Sequence, residues 1–232
     1  MKKIIVIGGG AAGFFAAINA AEQNPNIQID ILERGKEVLQ KVKISGGGRC
    51  NVTHACWIPK DLVKFYPRGN KALLGPFNRF ACADTIDWFE KRGVKLKIEA
   101  DGRIFPFSND SQSIIDCLME ATHRAKIKIH KHSRVQDFRP TANGGFEIIT
   151  DKVLTADALI LTAGSSPAIW SILEKLGHKI ITPVPSLFTF NIKDPRLKTL
   201  EGISVPNAEI NVLGQKSLNA SGPLLITHWG LS

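Results

Sequence analysis

The chain has 232 residues, 44% of them hydrophobic and 22% charged, enough for one sizeable core or one core and part of a second. No run of 18 or more apolar residues occurs, and the apolar stretch after Lys2 and Lys3 is interrupted by Gly8, Gly9 and Gly10 before it reaches signal-peptide length, so no membrane association and a cytoplasmic location are expected. The formal charge of +9 admits an anionic cofactor, a polyanion or plain solubility.

In chain order, Lys3–Ile7 is a β-branched run suited to a buried parallel strand, residues 8–13 a glycine-rich turn, and residues 11–22 an alanine-rich helix stopped at Asn24 and Pro25. Gln28–Leu32 is a second strand, completing a right-handed βαβ unit. A glycine-rich loop (45–51) and an aromatic, proline-containing stretch to Phe80 follow, the latter without an assigned element. Residues 84–92 read as a helix ended by Gly93, and 94–99 and 103–105 as strands about an Asp101-Gly102 turn. Residues 111–125 form an amphipathic helix with Ile114, Ile115, Leu118 and Met119 on one side. The densest basic run, 123–134, alternates with Ile127 and Ile129 and reads as a half-buried strand with a basic outer face. Residues 135–138, 146–150 and 153–155 make a β-meander, 158–162 a buried strand, and Ser165, Ser166 and Pro167 open a capped helix closed by Gly177. From Pro183 the character changes to short β-like runs, 187–192 and 208–213, between Pro and Gly, with His228 and Trp229 read as a packing pair. The expected organisation is an α/β unit over 1–183, then the beginning of a mostly β unit over 184–232.

Gly8-x-Gly10-x-x-Gly13 sits where a strand hands over to a helix, the context that gives this spacing meaning. Gly8 permits the tight turn, Gly10 lets backbone approach a pyrophosphate, and Gly13 lets the helix pack against the sheet. The helix N-terminus adds free N–H groups and the positive end of its dipole. Glu33 ends the second strand 20 residues after Gly13, placed to accept hydrogen bonds from an adenosine ribose and to repel a 2′-phosphate. FAD and NAD share this fingerprint. The second glycine segment, Lys43-Ile44-Ser45-Gly46-Gly47-Gly48-Arg49-Cys50-Asn51, decides between them: adjacent glycines expose N–H groups to a planar or anionic ligand, and Arg49 can pair with phosphate. The bland alternative is a flexible surface loop. Four cysteines without a CxxC pair or zinc-finger spacing point to reduced thiols and no metal, with a Cys50–Cys56 disulfide as the redox alternative.

The segments IVIGGGAAG, ILERG, KISGGGRCNVT, DGRIFPFSND and LGHKIITPVPSLFTFNI, in this order, resemble the BaiN-type flavoproteins, also known as the aminoacetone-oxidase family of NAD(P)/FAD-dependent oxidoreductases. The resemblance runs over the whole chain and is most specific at KISGGGRCNVT. It implies a Rossmann-like FAD-binding domain with a parallel sheet and a β-meander crossover, followed by the start of a β-rich insert. By resemblance, Gly8, Gly10, Ala12, Gly13, Glu33 and Arg34 hold the ADP half of FAD. Lys43, Ser45, Gly46, Gly47, Gly48, Arg49, Cys50 and Asn51 run beside the pyrophosphate, ribityl chain and flavin. Val135 meets the adenine through its backbone, and Thr162, Ala163 and Gly164 form a second turn near the dinucleotide. Two departures stand out: residues 165–173 run straight into a helix where the family has a longer glycine-rich segment, and the chain ends inside a mid-chain motif, as a truncated member would. Arg103, in the Asp101-Gly102-Arg103 turn, reads equally as a substrate-facing arginine or a surface hairpin residue.

The leading expectation is an FAD-dependent oxidoreductase acting on a small organic substrate, with NAD(P)H as a candidate hydride donor. The alternatives are an inactive remnant of such a protein and an RNA-directed flavoprotein. The charge suggests the last; the lack of a recognisable RNA-binding motif counts against it, so a small molecule rather than nucleic acid is the expected partner.

Overall fold

The computed structural model describes residues 1–184, 189–214 and 218–232, and the chain divides into two compact units, Met1–Ile180 and Ile181–Ser232. The first unit opens with strand β1 (Lys3–Ile7), helix α1 (Ala11–Gln23) and strand β2 (Gln28–Leu32). Helix α2 (Gln40–Ile44), a 3-10 turn (Ser45–Gly48), β3 (Thr53–His54), α3 (Pro59–Leu62), α4 (Asn70–Phe77) and α5 (Cys82–Glu90) follow. Then come β4 (Leu96–Ile98), β5 (Arg103–Pro106), α6 (Gln112–Arg124) and β6 (Lys128–His130). The meander is β7 (Asp137–Pro140), β8 (Phe146–Ile149) and β9 (Val153–Ala156), and β10 (Ala158–Leu161) and α7 (Pro167–Lys175) complete the unit.

Four strands form a parallel sheet in the order β10-β1-β2-β6. Parallel neighbours need crossovers. Helix α1 supplies the first, and the antiparallel meander β7-β8-β9 carries the chain from β6 across to β10. A separate antiparallel sheet, β3-β5-β4, stands before α6. This is the Rossmann-like α/β architecture expected from the sequence.

Side-chain alternation along β1 sorts the core into two layers. Val6, with Ile29 and Ile31 of β2, packs on Phe14, Ala17 and Ile18 of α1 and on Ile114 and Leu118 of α6. Ile5, Ile7 and Leu32 point the other way, onto Phe138 and Ile148 of the meander and Ile169 and Ile172 of α7. Asp30 is buried on this second face, where its carboxylate takes Lys3 Nζ at 3.1 Å and lies 3.7 Å from His130 Nε2.

Three local readings differ from expectation. Helix α5 begins two residues early, because Asp84 accepts the Ala81 N–H (2.8 Å) and so fixes the start of the first turn. Within the basic run Arg124 closes α6, as the 111–125 helix requires, but the strand expected over 126–130 starts only at Lys128, because Lys126 occupies a left-handed turn (φ 54°). That strand is the sheet's edge, where Lys128 discourages pairing with another chain. Ser166 stands at the N-cap of α7 but makes no side-chain cap bond.

In the second unit β11 (Phe190–Asn191), β12 (Ser204–Asn211), β13 (Asn219–Thr227) and β14 (Gly230–Leu231) form an antiparallel sheet in the order β11-β14-β13-β12. Leu187, in the expected 187–192 run, lies outside the described residues. The His228 and Trp229 ring centroids are 3.7 Å apart.

Phe14 is fully buried where α1 meets the sheet. Phe14→Ala is expected to cost about 3–5 kcal/mol of stability, read from the shift of a urea unfolding midpoint at unchanged slope.

Candidate functional site

The turn between β1 and α1 is closed by contacts that leave no room for side chains. A Cβ on Gly13 would lie 2.1 Å from the Gly8 carbonyl oxygen, and one on Gly8 would lie 2.6 Å from the Thr162 carbonyl oxygen. Gly8 also has φ +111°, a conformation strained for any other residue. Thr162 fastens the turn from the third side: its N–H and hydroxyl both donate to the Ile7 carbonyl (2.9 Å each), and the hydroxyl also reaches the Gly8 carbonyl at 3.0 Å. Gly10 is different. It caps α1 with an ordinary φ of −93°, and a Cβ there would meet nothing within 4 Å. Among the described residues nothing requires glycine at Gly10. No side chain caps α1, so its first-turn N–H groups face the carboxyl edge of the sheet.

Glu33 leaves β2 on that edge. Its carboxylate accepts the Gly9 N–H at 2.9 Å and the Gly35 N–H at 2.7 Å, which fixes its position and leaves lone pairs for further donors. A cleft of about 70 Å³ lies beside it, lined by Ile7, Gly8, Leu32, Glu33, Arg34, Ser133, Arg134, Val135, Ala163, Ser166, Ala168 and Ile169. Five residues expected from the sequence (Gly8, Glu33, Arg34, Val135 and Ala163) therefore come together in one groove. The Val135 side chain is buried in the meander core, so a ligand in the groove would meet its backbone. Ser133 and Arg134 were not foreseen. They arrive because 132 and 133 run beside 33 to 35, with Ser133 N–H donating to the Glu33 carbonyl (2.8 Å) and His132 N–H to that of Gly35 (3.1 Å).

The second glycine loop is joined to the first turn through α2. Leu39 N–H donates to the Gly9 carbonyl (2.8 Å), and α2 then advances about 7.5 Å to Ser45. The start of α2 is thus fixed at the first bend, whereas none of residues 43–51 lines the cleft beside Glu33. Within the loop the side chains are turned to fastening it. Ser45 Oγ donates to the Val42 carbonyl at 2.9 Å, and Ser111 Oγ to that of Lys43 at 2.9 Å. Asn51, with its amide nitrogen toward them, donates to the Thr53 and Ile104 carbonyls at 2.9 and 3.2 Å. Arg49, expected to pair with phosphate, is ion-paired with Glu99 at 2.6 Å, its guanidinium 3.9 Å from the centre of the Phe105 ring. Gly46 is sterically required, since a Cβ there would come within 2.9 Å of Asn51 and Phe105. Gly47 and Gly48 (φ 68° and 84°) border open space, so the loop shows bare backbone outward.

Among the remaining expected residues, Ala12 lies in the first turn of α1 and Gly164 follows β10 with φ +58°. A Cβ on Gly164 would sit 3.8 Å from Lys41 Nζ. Lys41, which sequence reading passed over, thus brings an ammonium from α2 to the second turn; no local rule marks it, because α2 itself depends on the distant Leu39–Gly9 hydrogen bond. Arg103 is half-exposed at its hairpin turn, its Nε donating to Asp101 at 2.7 Å. All four cysteines are free, with Cys50, Cys82 and Cys117 buried. Burial pushes the Cys50 thiol above its usual range, with a hydrogen bond to Ser45 opposing it, so Cys50 is held as an unreactive thiol at neutral pH.

The residues present suit an adenine dinucleotide: an open place where only a missing Cβ admits close approach, free helix N–H groups, a fixed carboxylate and bare backbone beyond.

Residues 2–222 match the model of the HI0933-like protein Rossmann domain. The chain belongs to the HI0933-like family. Over its whole length the chain is 28% identical to the 3-dehydro-bile acid delta(4,6)-reductase of Clostridium scindens, covering 58% of that protein. It is 26% identical to the ribosomal RNA dihydrouridine synthase of Escherichia coli, with 98% of this chain and 58% of the relative covered. The chain thus spans under two thirds of the length of these curated relatives. Among solved structures, the 3-ketosteroid-delta4-(5alpha)-dehydrogenase of Rhodococcus jostii superposes with a TM-score of 0.51 at 16% identity, covering 69% of this chain and 45% of that one, and shows the same fold.

Two outcomes are expected in this HI0933-like chain. Gly13→Ala should unfold the protein or lower its melting temperature steeply, whereas Gly10→Ala should melt like the parent yet bind FAD at least about tenfold more weakly by titration. At neutral pH, Cys50 should label with a thiol reagent far more slowly in the folded protein than in urea, with folded-state labelling rising only above its ordinary pKa of 9.0.

Proposed function

We propose that this chain is the FAD-holding part of an enzyme that adds two hydrogens across a carbon–carbon double bond conjugated to a carbonyl, with NAD(P)H as the hydride source. Gly10 carries the reading: it is a glycine that the fold does not need, at the open N-terminus of α1, where a ligand's diphosphate would need it. Bound FAD would supply hydride transfer, which no side chain can perform.

The chain's own residues bind and orient. The first turn of α1 offers N–H groups and a partial positive charge of roughly half a unit to the diphosphate. Glu33, immobilised by Gly9 and Gly35, accepts from the adenosine ribose, and its charge favours FAD and NADH-type riboses over a 2′-phosphate. Lys41 adds a cation beside Gly164. Gly47 and Gly48 give a planar ring system a surface without side chains.

The reaction class is supported by the chemistry that the relatives' names share. A 3-dehydro-bile acid delta(4,6)-reductase saturates double bonds conjugated with a 3-ketone, and a dihydrouridine synthase saturates the uracil double bond beside a ring carbonyl. Each reduction takes one hydride at the carbon remote from the carbonyl and one proton at the other.

The test is spectroscopic. Purified protein, supplemented with FAD, is expected to show flavin absorption near one equivalent, to bleach on anaerobic NADH or NADPH, and to recover its colour with a conjugated dienone but not with the saturated ketone. A folded protein that takes up no flavin would contradict the reading and mark an inactive remnant. Bound flavin that is reoxidised by oxygen alone would remove the proposed substrate class.

A further inference from the structure

The stretch between β3 and α5, which sequence reading left without structure, carries an unusual surface. Over residues 57–80 five cations, Lys60, Lys64, Arg68, Lys71 and Arg79, face a single acid, Asp61, a net +4 of the chain's +9 in 24 residues. Lys64 pairs with Asp61 at 2.7 Å; among the described residues the other four make no ion pair. Three aromatic residues of the same segment are substantially exposed: Trp57 is 51% exposed, Phe65 68% and Tyr66 40%. Water-exposed rings in such a cluster are unfavourable unless something covers them.

The segment is fixed rather than trailing. Leu62 of α3 is buried, Tyr66 leans on Phe77 of α4 (centroids 5.5 Å), and Phe80 packs edge-on against Phe15 of α1 at 5.1 Å. Phe65 lies 5.9 Å from His54, whose strand β3 begins two residues beyond Asn51 of the second glycine loop. The cluster therefore touches the strand that follows the second glycine loop.

We propose that residues 57–80 dock single-stranded nucleic acid, with Trp57, Phe65 and Tyr66 as stacking platforms and Lys60, Arg68 and Lys71 as phosphate partners. Unstacked bases offer two-faced rings to exposed aromatics, and the backbone offers one negative charge per nucleotide to the cations between them. A duplex hides its bases and would use only the cations. A membrane surface fits less well, because α3 has four residues and α4 eight, too short for an apolar helical face lying in an interface. This inference deepens the reductase reading by naming what would carry the reducible ring, and rests on that reading for its chemistry but not for its binding.

The experiment measures anisotropy of a fluorescein-labelled single-stranded RNA titrated with the whole chain at several salt concentrations. The variants are Trp57→Ala/Phe65→Ala/Tyr66→Ala and Lys60→Gln/Arg68→Gln/Lys71→Gln. The ring variant is expected to keep its circular dichroism spectrum and salt slope but bind about tenfold or more weakly. The charge variant should weaken binding and flatten the logarithmic salt slope by about 2, the share of three phosphate contacts on a single strand. Three results would overturn the proposal: binding that both variants leave unchanged, equal affinity for duplex RNA, or preference for anionic phospholipid vesicles over RNA. Misfolding of the ring variant would also overturn it, since it would show the rings packed rather than presented. Neither variant touches the glycine turns, so flavin uptake should persist in both, and failure here would leave the flavin reading standing.

Discussion

The structure depends on a close three-way approach of backbone at Gly8, Gly13 and Thr162. With Gly13 against the Gly8 carbonyl, α1 can leave β1 at the angle that lays Phe14, Ala17 and Ile18 on the sheet. The Thr162 hydroxyl and N–H tie the end of β10 to the end of β1. Each hydrogen bond contributes only about 1 kcal/mol net, but together with the steric fit they fix where the helix begins. That start aims the uncapped N–H groups of α1 at the carboxyl edge, where a doubly wound sheet receives its ligand.

Beyond this junction the site separates two uses of glycine. Gly8, Gly13 and Gly46 are small because the protein's own atoms crowd them, whereas Gly10, Gly47 and Gly48 face open space. The polar side chains of the second loop mirror this division. Arg49, Ser45 and Asn51 spend their hydrogen-bonding capacity on Glu99, Val42, Thr53 and Ile104, holding the loop rigid so that its bare backbone can face outward. The cations that line the groove come instead from Arg34 and Arg134, and Lys41 stands beside Gly164.

Much of this was legible in the sequence wherever a local rule determined the outcome. The β-branched run Lys3–Ile7, the glycine spacing after it and Glu33 directly after Gln28–Leu32 specify strand, turn, helix and strand without reference to the rest of the chain. The meander was legible from its turns, Gly144 and Gly145 both having positive φ. What escaped depended on distant partners. Helix α2 exists because Leu39, in a left-handed conformation (φ 58°), is anchored to Gly9 some thirty residues earlier. The fate of Arg49 was decided by Glu99, fifty residues on, and no spacing rule links the two. Helices α3 and α4 were hidden by Pro59, Pro67 and Pro76, although Pro59 suits a first helical turn and Pro76 falls near the C-terminal end of α4.

The central claim is that the two glycine bends grip the two halves of a single dinucleotide. Competition calorimetry tests it directly, with FAD titrated into the protein alone and then in the presence of excess ADP or FMN. ADP, which presents the half assigned to Gly10 and Glu33, is expected to compete with FAD and weaken its apparent affinity in proportion to ADP concentration, with FMN competing separately. FAD binding that is saturable yet indifferent to ADP would contradict the assignment of the first bend.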